Sequence, residues 1–180
     1  MQEIELKFTI EDINLVKEQL EKMGCQFSDL LNQKDTIFIP DIKDSTNGEG
    51  KIFVRIRSVN EKNQVTLKKQ GVKLSESKEI EFDVSDYDDV YEFLTTLGLA
   101  QWVTVEKKRI TTKYKEFNIC LDEVKYLGSF IEIEILTDEL NKVDYYEEMM
   151  KSVADELGID IKNIVNKHYD TMISELINNA

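Results

Sequence analysis

The sequence predicts an α+β protein, most simply an antiparallel β-barrel with helices packed outside it. Two observations carry that prediction. Segments with the period-two alternation of strands follow one another through most of the chain, and only four stretches carry a helical period. Within the strand segments, charged residues recur at every second position with apolar residues between them. Such a sheet has one charged face and one apolar face. Either the charged face is solvated, or the sheet closes with its charges inside and helices cover the apolar outside.

The first predicted strand, 2–9, alternates Glu3, Glu5 and Lys7 with Ile4, Leu6 and Phe8. A helix at 12–23 puts Ile13, Val16, Leu20 and Met23 on one stripe and stops at Gly24. Strands at 25–30 and 34–39 follow. Pro40, the only proline, then opens a loop at 41–50 with Gly48 and Gly50 at its end. In the strand at 51–59, Arg55 and Arg57 share a face with Phe53, while Ile52, Val54 and Ile56 take the other. At 63–70, Thr66 and Lys68 oppose Val65 and Leu67; at 77–84, Glu79 and Glu81 oppose Ile80 and Phe82. A helix at 86–97 starts behind Ser85, with Asp88 in capping-box position, and stops at Gly98.

The second half repeats the pattern. In the strand at 101–114, Lys107 and Arg109 share a face with Val103 and Val105. At 116–122, Asn118, Cys120 and Asp122 oppose Phe117, Ile119 and Leu121; at 129–136, Glu132 and Glu134 oppose Ile131, Ile133 and Ile135. Helices at 140–157 and 161–178 close the chain, the first carrying Val143, Tyr146, Met150, Val153 and Leu157 and ending at Gly158.

A length of 180 residues fits one domain, residues 1–180, burying roughly 70% of its unfolded surface, and no linker or repeat divides it. The net charge of −13 argues against a nucleic-acid partner, because that binding rests on phosphate neutralisation. It leaves room for a small polyphosphate held by a local cluster of Lys and Arg. No run of 18 apolar residues exists and strand periodicity begins at once, so neither a membrane span nor a signal peptide is expected. Cys25 and Cys120 lie far apart without a C-x-x-C, which fits free thiols in a reducing cytoplasm. His168 is the only histidine, which disfavours a zinc site or a His-based triad.

Taken by strand parity, the charged faces hold Glu3, Glu5, Glu79, Glu81, Asp122, Glu132 and Glu134 against Lys7, Arg55, Arg57, Lys68, Lys107 and Arg109. The near balance of signs matters, since a closed interior with a large uncompensated charge would be very unfavourable. Interleaved signs suit a polyphosphate that chelates a divalent metal. Arg and Lys would hold phosphate oxygens, and carboxylates would give the hard oxygen ligands preferred by Mg²⁺ or Mn²⁺. His168 and Tyr169 are expected as surface or packing residues, Tyr145, Tyr146, Met149 and Met150 as a packing stripe, and Trp102 as barrel packing.

The segment Glu3-Ile4-Glu5-Leu6-Lys7 resembles the E-x-E-x-K signature of the CYTH domain family, also called triphosphate tunnel metalloenzymes. Later elements follow in the family's order: Val54-Arg55-Ile56-Arg57, Thr66-Leu67-Lys68, Glu79-Ile80-Glu81, Glu106-Lys107-Lys108-Arg109, Leu121-Asp122 and Glu132-Ile133-Glu134. The stretch from Asp122 to Glu132, with Gly128-Ser129-Phe130 inside it, is similar to the class IV adenylyl cyclase pattern. The resemblance implies a closed eight-stranded antiparallel tunnel with charged side chains inside. It implies that Glu3 and Glu5, joined by Asp122, Glu132 and Glu134, bind catalytic Mg²⁺ or Mn²⁺. Lys7, Arg55, Arg57, Lys68, Lys107 and Arg109 would cradle the triphosphate, with Glu79 and Glu81 as further acidic tunnel residues. Glu3, Glu5, Lys7, Asp122 and Glu132 form the expected catalytic set, and a homodimer is compatible with the resemblance.

The expected activity is cyclisation of ATP to 3′,5′-cyclic AMP and pyrophosphate. The alternative is hydrolysis of thiamine triphosphate, inorganic tripolyphosphate or a nucleoside triphosphate in the same tunnel. A non-catalytic module binding polyphosphate or nucleotide is the third possibility.

Overall fold

The computed structural model describes residues 2–40, 52–60, 62–70 and 76–179, so the loop expected at 41–50 lies outside the described residues. The architecture is α+β. Its strands are β1 (Gln2–Ile10), β2 (Leu31–Ile39), β3 (Ile52–Val59), β4 (Lys62–Gln70), β5 (Glu76–Val84), β6 (Ala100–Tyr114), β7 (Phe117–Val124) and β8 (Gly128–Thr137). Its helices are α1 (Ile13–Lys22), α2 (Tyr87–Thr96), α3 (Val143–Glu156) and α4 (Tyr169–Asn178). The chain divides into two compact units: Met1–Leu31 with Lys108–Asn166, and Asn32–Lys107 with Lys167–Ala180. None of the described helices is long and apolar enough to cross a membrane.

In the first unit β1 pairs antiparallel with β8, and β8 with β7. The alternation places Ile4, Phe8, Ile119, Leu121, Ile131 and Ile133 on one face, all fully buried against Val16 and Leu20 of α1 and Met150 and Val153 of α3. Each such side chain contributes about 1.5–3 kcal/mol on burial, so this apolar face dominates the unit's stability. Asp12 caps α1 by accepting from the Asn14 amide at 2.8 Å. Gly24, at φ 90°, lets the chain turn after it.

In the second unit β2, β3, β4 and β5 pair antiparallel in succession. Phe38, Val54, Ile56 and Val65 pack with Leu94 of α2, and Tyr87, Val90 and Tyr91 of that helix close the cluster. Ile80 and Phe82 point away from the charged face of β5, yet each is 55% exposed, so among the described residues no helix covers that part of the apolar face.

Most predicted elements form within a residue or two of their expected ends. Four do not. Residues 25–30 form no strand: one backbone bond, from Ser28 N to Thr111 O at 2.8 Å, is supplemented by side-chain bonds rather than extended into a ladder. Thr111 N donates to Ser28 Oγ at 3.0 Å and Thr112 Oγ1 donates to Gln26 O at 2.8 Å. The helix expected at 161–178 breaks into a 3₁₀ turn, Ile161–Asn163, and α4. Between them Ile164 forms a bridge with Phe8, and Val165 N donates to Lys7 O at 2.8 Å, bonds that require extended backbone. The helix expected from 140 opens with a 3₁₀ turn, Leu140–Lys142, before α3. Asp86 rather than Ser85 caps α2, accepting from Asp88 N and Asp89 N.

Candidate functional site

The charged faces are buried at their centres and more open elsewhere, the Glu81 side chain being 42% exposed. Lys7, Asp122 and Glu132 in the first unit, and Asp35 and Lys107 in the second, are each at most 7% exposed. Burial of this many ionised groups is tolerable only if they are paired. The pairs are there in both units.

In the first unit, strand register brings the groups together. Glu5 lies opposite Glu134, and Lys7 opposite Glu132. On the other side of β8, Asn118 lies opposite Glu134 and Cys120 opposite Glu132. Ligand atoms of Glu3, Glu5 and Glu134 lie within 4.8 Å of one another, and so do those of Cys120, Glu132 and Glu134. Lys7 Nζ stands 3.2 Å from Glu132 and 3.8 Å from Glu5. Arg109 donates from Nε to Asp122 Oδ1 at 2.6 Å and from Nη2 to Oδ2 at 2.5 Å, and also bonds Glu132. The five acids expected at a metal thus sort by neighbour: Glu3, Glu5 and Glu134 gather as carboxylates, while Asp122 and Glu132 meet Arg109.

Electrostatics follow from this packing. Burial pulls the Arg109 guanidinium down, but the charges of Glu132 and Asp122 outweigh it and hold Arg109 well above its ordinary value. Burial pushes the Cys120 thiol far up, so it carries no charge near neutrality. The all-oxygen set of Glu3, Glu5 and Glu134 fits a hard divalent cation such as Mg²⁺ or Mn²⁺. A cavity of about 830 Å³ adjoins it, lined by Ser28, Thr111, Asn118, Cys120 and Glu134 among others.

In the second unit the basic residues are organised by carboxylates. Arg57 donates from Nε and Nη2 to the two oxygens of Asp35, both at 2.7 Å. Burial would raise the Asp35 carboxyl, but the bond and charge of Arg57, with Arg55 and Lys107 behind it, hold it well below the usual range. Arg55 Nη2 donates to Thr66 Oγ1 at 3.0 Å, and that hydroxyl donates to Glu81 at 2.9 Å. Burial and the Arg57 charge lower the Arg55 guanidinium. Lys68 lies 2.9 Å from Glu79. Lys107 Nζ sits over the Tyr169 ring, 5.0 Å from its centroid, and that ring is buried.

Asp35 and Gln33 are the residues that strand parity missed. The run Gln33-Lys34-Asp35 puts polar groups on both faces, so alternation does not choose between them. Their face is known only once Asp35 is paired with Arg57. Tyr169, expected at the surface or in packing, is buried beneath Lys107. Trp102 stacks near Phe53 at 6.1 Å and donates to Ser174 Oγ at 3.0 Å, a packing role. Cys25 is half-buried and Cys120 buried, both free.

The family model of the CYTH domain matches residues 1–169. Among curated proteins, the chain is 30% identical over 177 residues to "Putative adenylate cyclase" of Methanocaldococcus jannaschii, covering 94% of this chain and 97% of that one. It is 24% identical over 179 residues to adenylate cyclase CyaB of Aeromonas hydrophila, covering 96% of this chain and 89% of that one. A solved structure from Pyrococcus horikoshii superposes with a TM-score of 0.80 at 26% identity, covering 94% of this chain and 98% of that one.

Proposed function

Because the chain belongs to the CYTH family, we propose that it binds ATP with a divalent cation and cyclises it to 3′,5′-cyclic AMP and pyrophosphate. The observation that carries this proposal is a strand face on which three half-buried carboxylates gather beside the buried pairs Lys7–Glu132 and Arg109–Asp122. Two relatives, one named "Putative adenylate cyclase" and one adenylate cyclase CyaB, each match nearly the whole chain and support the cyclase reading.

Glu3, Glu5 and Glu134 would hold Mg²⁺ or Mn²⁺, with Asp122 and Glu132 completing the acidic set and orienting Arg109 and Lys7. Bound there, the cation would supply Lewis acidity that lowers the pKa of a substrate hydroxyl and offsets charge on the leaving pyrophosphate. Lys7, Arg55, Arg57, Lys68, Lys107 and Arg109 would hold the phosphate oxygens in line for attack, the guanidinium groups two oxygens at a time. Asp35 would fix Arg57, and Glu79 and Glu81 would restrain Lys68 and Arg55, so that the basic groups are preorganised rather than recruited from water. The ribose 3′-oxygen attacks the α-phosphorus, the bond to the β-phosphate breaks, and the hydroxyl proton passes to solvent without a dedicated histidine.

The test is a product assay on purified protein with ATP, tripolyphosphate and thiamine triphosphate, each with Mg²⁺ or Mn²⁺. Cyclic AMP with equimolar pyrophosphate is the expected result. Orthophosphate without cyclic product would replace the cyclase by a triphosphatase using the same residues. Tight binding without turnover would replace both by a binding module.

A further inference from the structure

Two buried polar side-chain atoms among the described residues have no hydrogen-bond partner: Gln33 Oε1 and Arg55 Nε. Both belong to the second unit. Register places Gln33 opposite Val59, Asp35 opposite Arg57 and Ile37 opposite Arg55, so the two orphaned atoms belong to one face. Gln33 is only 7% exposed. Buried polar groups are nearly always paired, and leaving one unpaired is more unfavourable than a hydrogen bond is favourable. The Asp35 carboxylate between them has no proton to donate to Gln33 Oε1, and its oxygens accept from Arg57.

The two atoms make opposite demands. Arg55 Nε is a donor and needs an acceptor, which a phosphate oxygen supplies. Gln33 Oε1 is an acceptor and needs a donor. Ionised phosphate groups have no donor to give. One ligand that satisfies both through hydrogen bonds must therefore carry a hydroxyl or amino group outside its phosphates. The four-residue step from Gln33 to Ile37, which faces Arg55, spans about 13 Å of strand, a separation that suits a ligand with a phosphate end and a second polar end.

We propose that Gln33 is a specificity residue: it accepts a hydrogen bond from the non-phosphate part of an organic triphosphate whose phosphates engage Arg55. This rests on the triphosphate reading given above and narrows it, because bare tripolyphosphate would leave Gln33 unsatisfied.

The experiment is calorimetric titration of the full chain with two unreactive probes, a methylene-bridged ATP analogue and methylene-bridged tripolyphosphate, both with Mg²⁺. Gln33→Leu should weaken the ATP analogue about fivefold or more and leave tripolyphosphate within about twofold of wild type. Gln33→Met, which keeps the side-chain length, should do the same and serves if the leucine variant melts early. Equal weakening of both probes, or of neither, would overturn the role of Gln33. Arg55→Gln separates the two levels: it should weaken both probes. If it weakens neither, the triphosphate reading itself falls, and the Gln33 proposal with it.

Discussion

Glu5 on β1 lies directly across from Glu134 on β8, and with Glu3 the three carboxylates come within 4.8 Å. Like charges at directly opposed strand positions are destabilising by a few tenths to about 1 kcal/mol. Lys7 Nζ stands 3.8 Å from Glu5. Glu134→Gln should therefore stabilise the protein in chelator by about 0.5 kcal/mol and diminish the further stabilisation that Mn²⁺ gives to wild type. Thermal unfolding with EDTA and with Mn²⁺ reads both effects.

Arg109 forks across Asp122 and reaches Glu132, and Asp122 is fully buried. A lysine at this position keeps the charge but cannot make the two-pronged bond. Arg109→Lys is expected to cost about 2–4 kcal/mol in urea unfolding, by leaving a buried carboxylate under-satisfied, and to lower turnover at least about tenfold.

Asp35 gives a pH signature. Its folded carboxyl titrates well below the unfolded value of about 3.9, so the unfolded chain takes up the proton first as pH falls. The stability it contributes is complete well above pH 4 and is lost progressively below it. Asp35→Asn should thus be destabilised by about 3 kcal/mol or more at pH 7, with the gap to wild type narrowing between about pH 4 and pH 2. Denaturant titrations across that range show the convergence; a constant gap would contradict the pairing.

Tyr126 sits in the β7–β8 turn at φ 71° and is 79% exposed. The left-handed conformation costs a non-glycine residue about 1 kcal/mol, and the exposed ring recovers little of it. Tyr126→Gly should raise stability by about 0.5 kcal/mol after the added freedom of the unfolded chain is counted. The change lies in a turn, so thermal unfolding should move without any change in triphosphate binding.

Much of this was legible in the sequence because burial on one face of a strand enforces alternation. Glu5, Lys7, Glu132 and Glu134 could be placed on one side of their strands from parity alone, and the stripe of Val16 and Leu20 announced α1. Pairing partners were not legible. That Arg109 would take Asp122, and that Glu134 rather than Glu132 would face Glu5, depends on register, which no single strand encodes. Asp35 escaped because Lys34 and Asp35 charge both faces of β2. The break before α4 escaped because the bonds to β1 that cause it come from residues more than 150 positions away in sequence.

The most direct test is Mn²⁺ binding to wild type, Glu5→Gln and Glu134→Gln, followed by loss of the free-ion electron paramagnetic resonance signal. Saturable binding by wild type, weakened about tenfold or more in each variant while the variants stay folded, is the expected result. Equal Mn²⁺ affinity in all three proteins would contradict the carboxylate site on which the proposed chemistry depends.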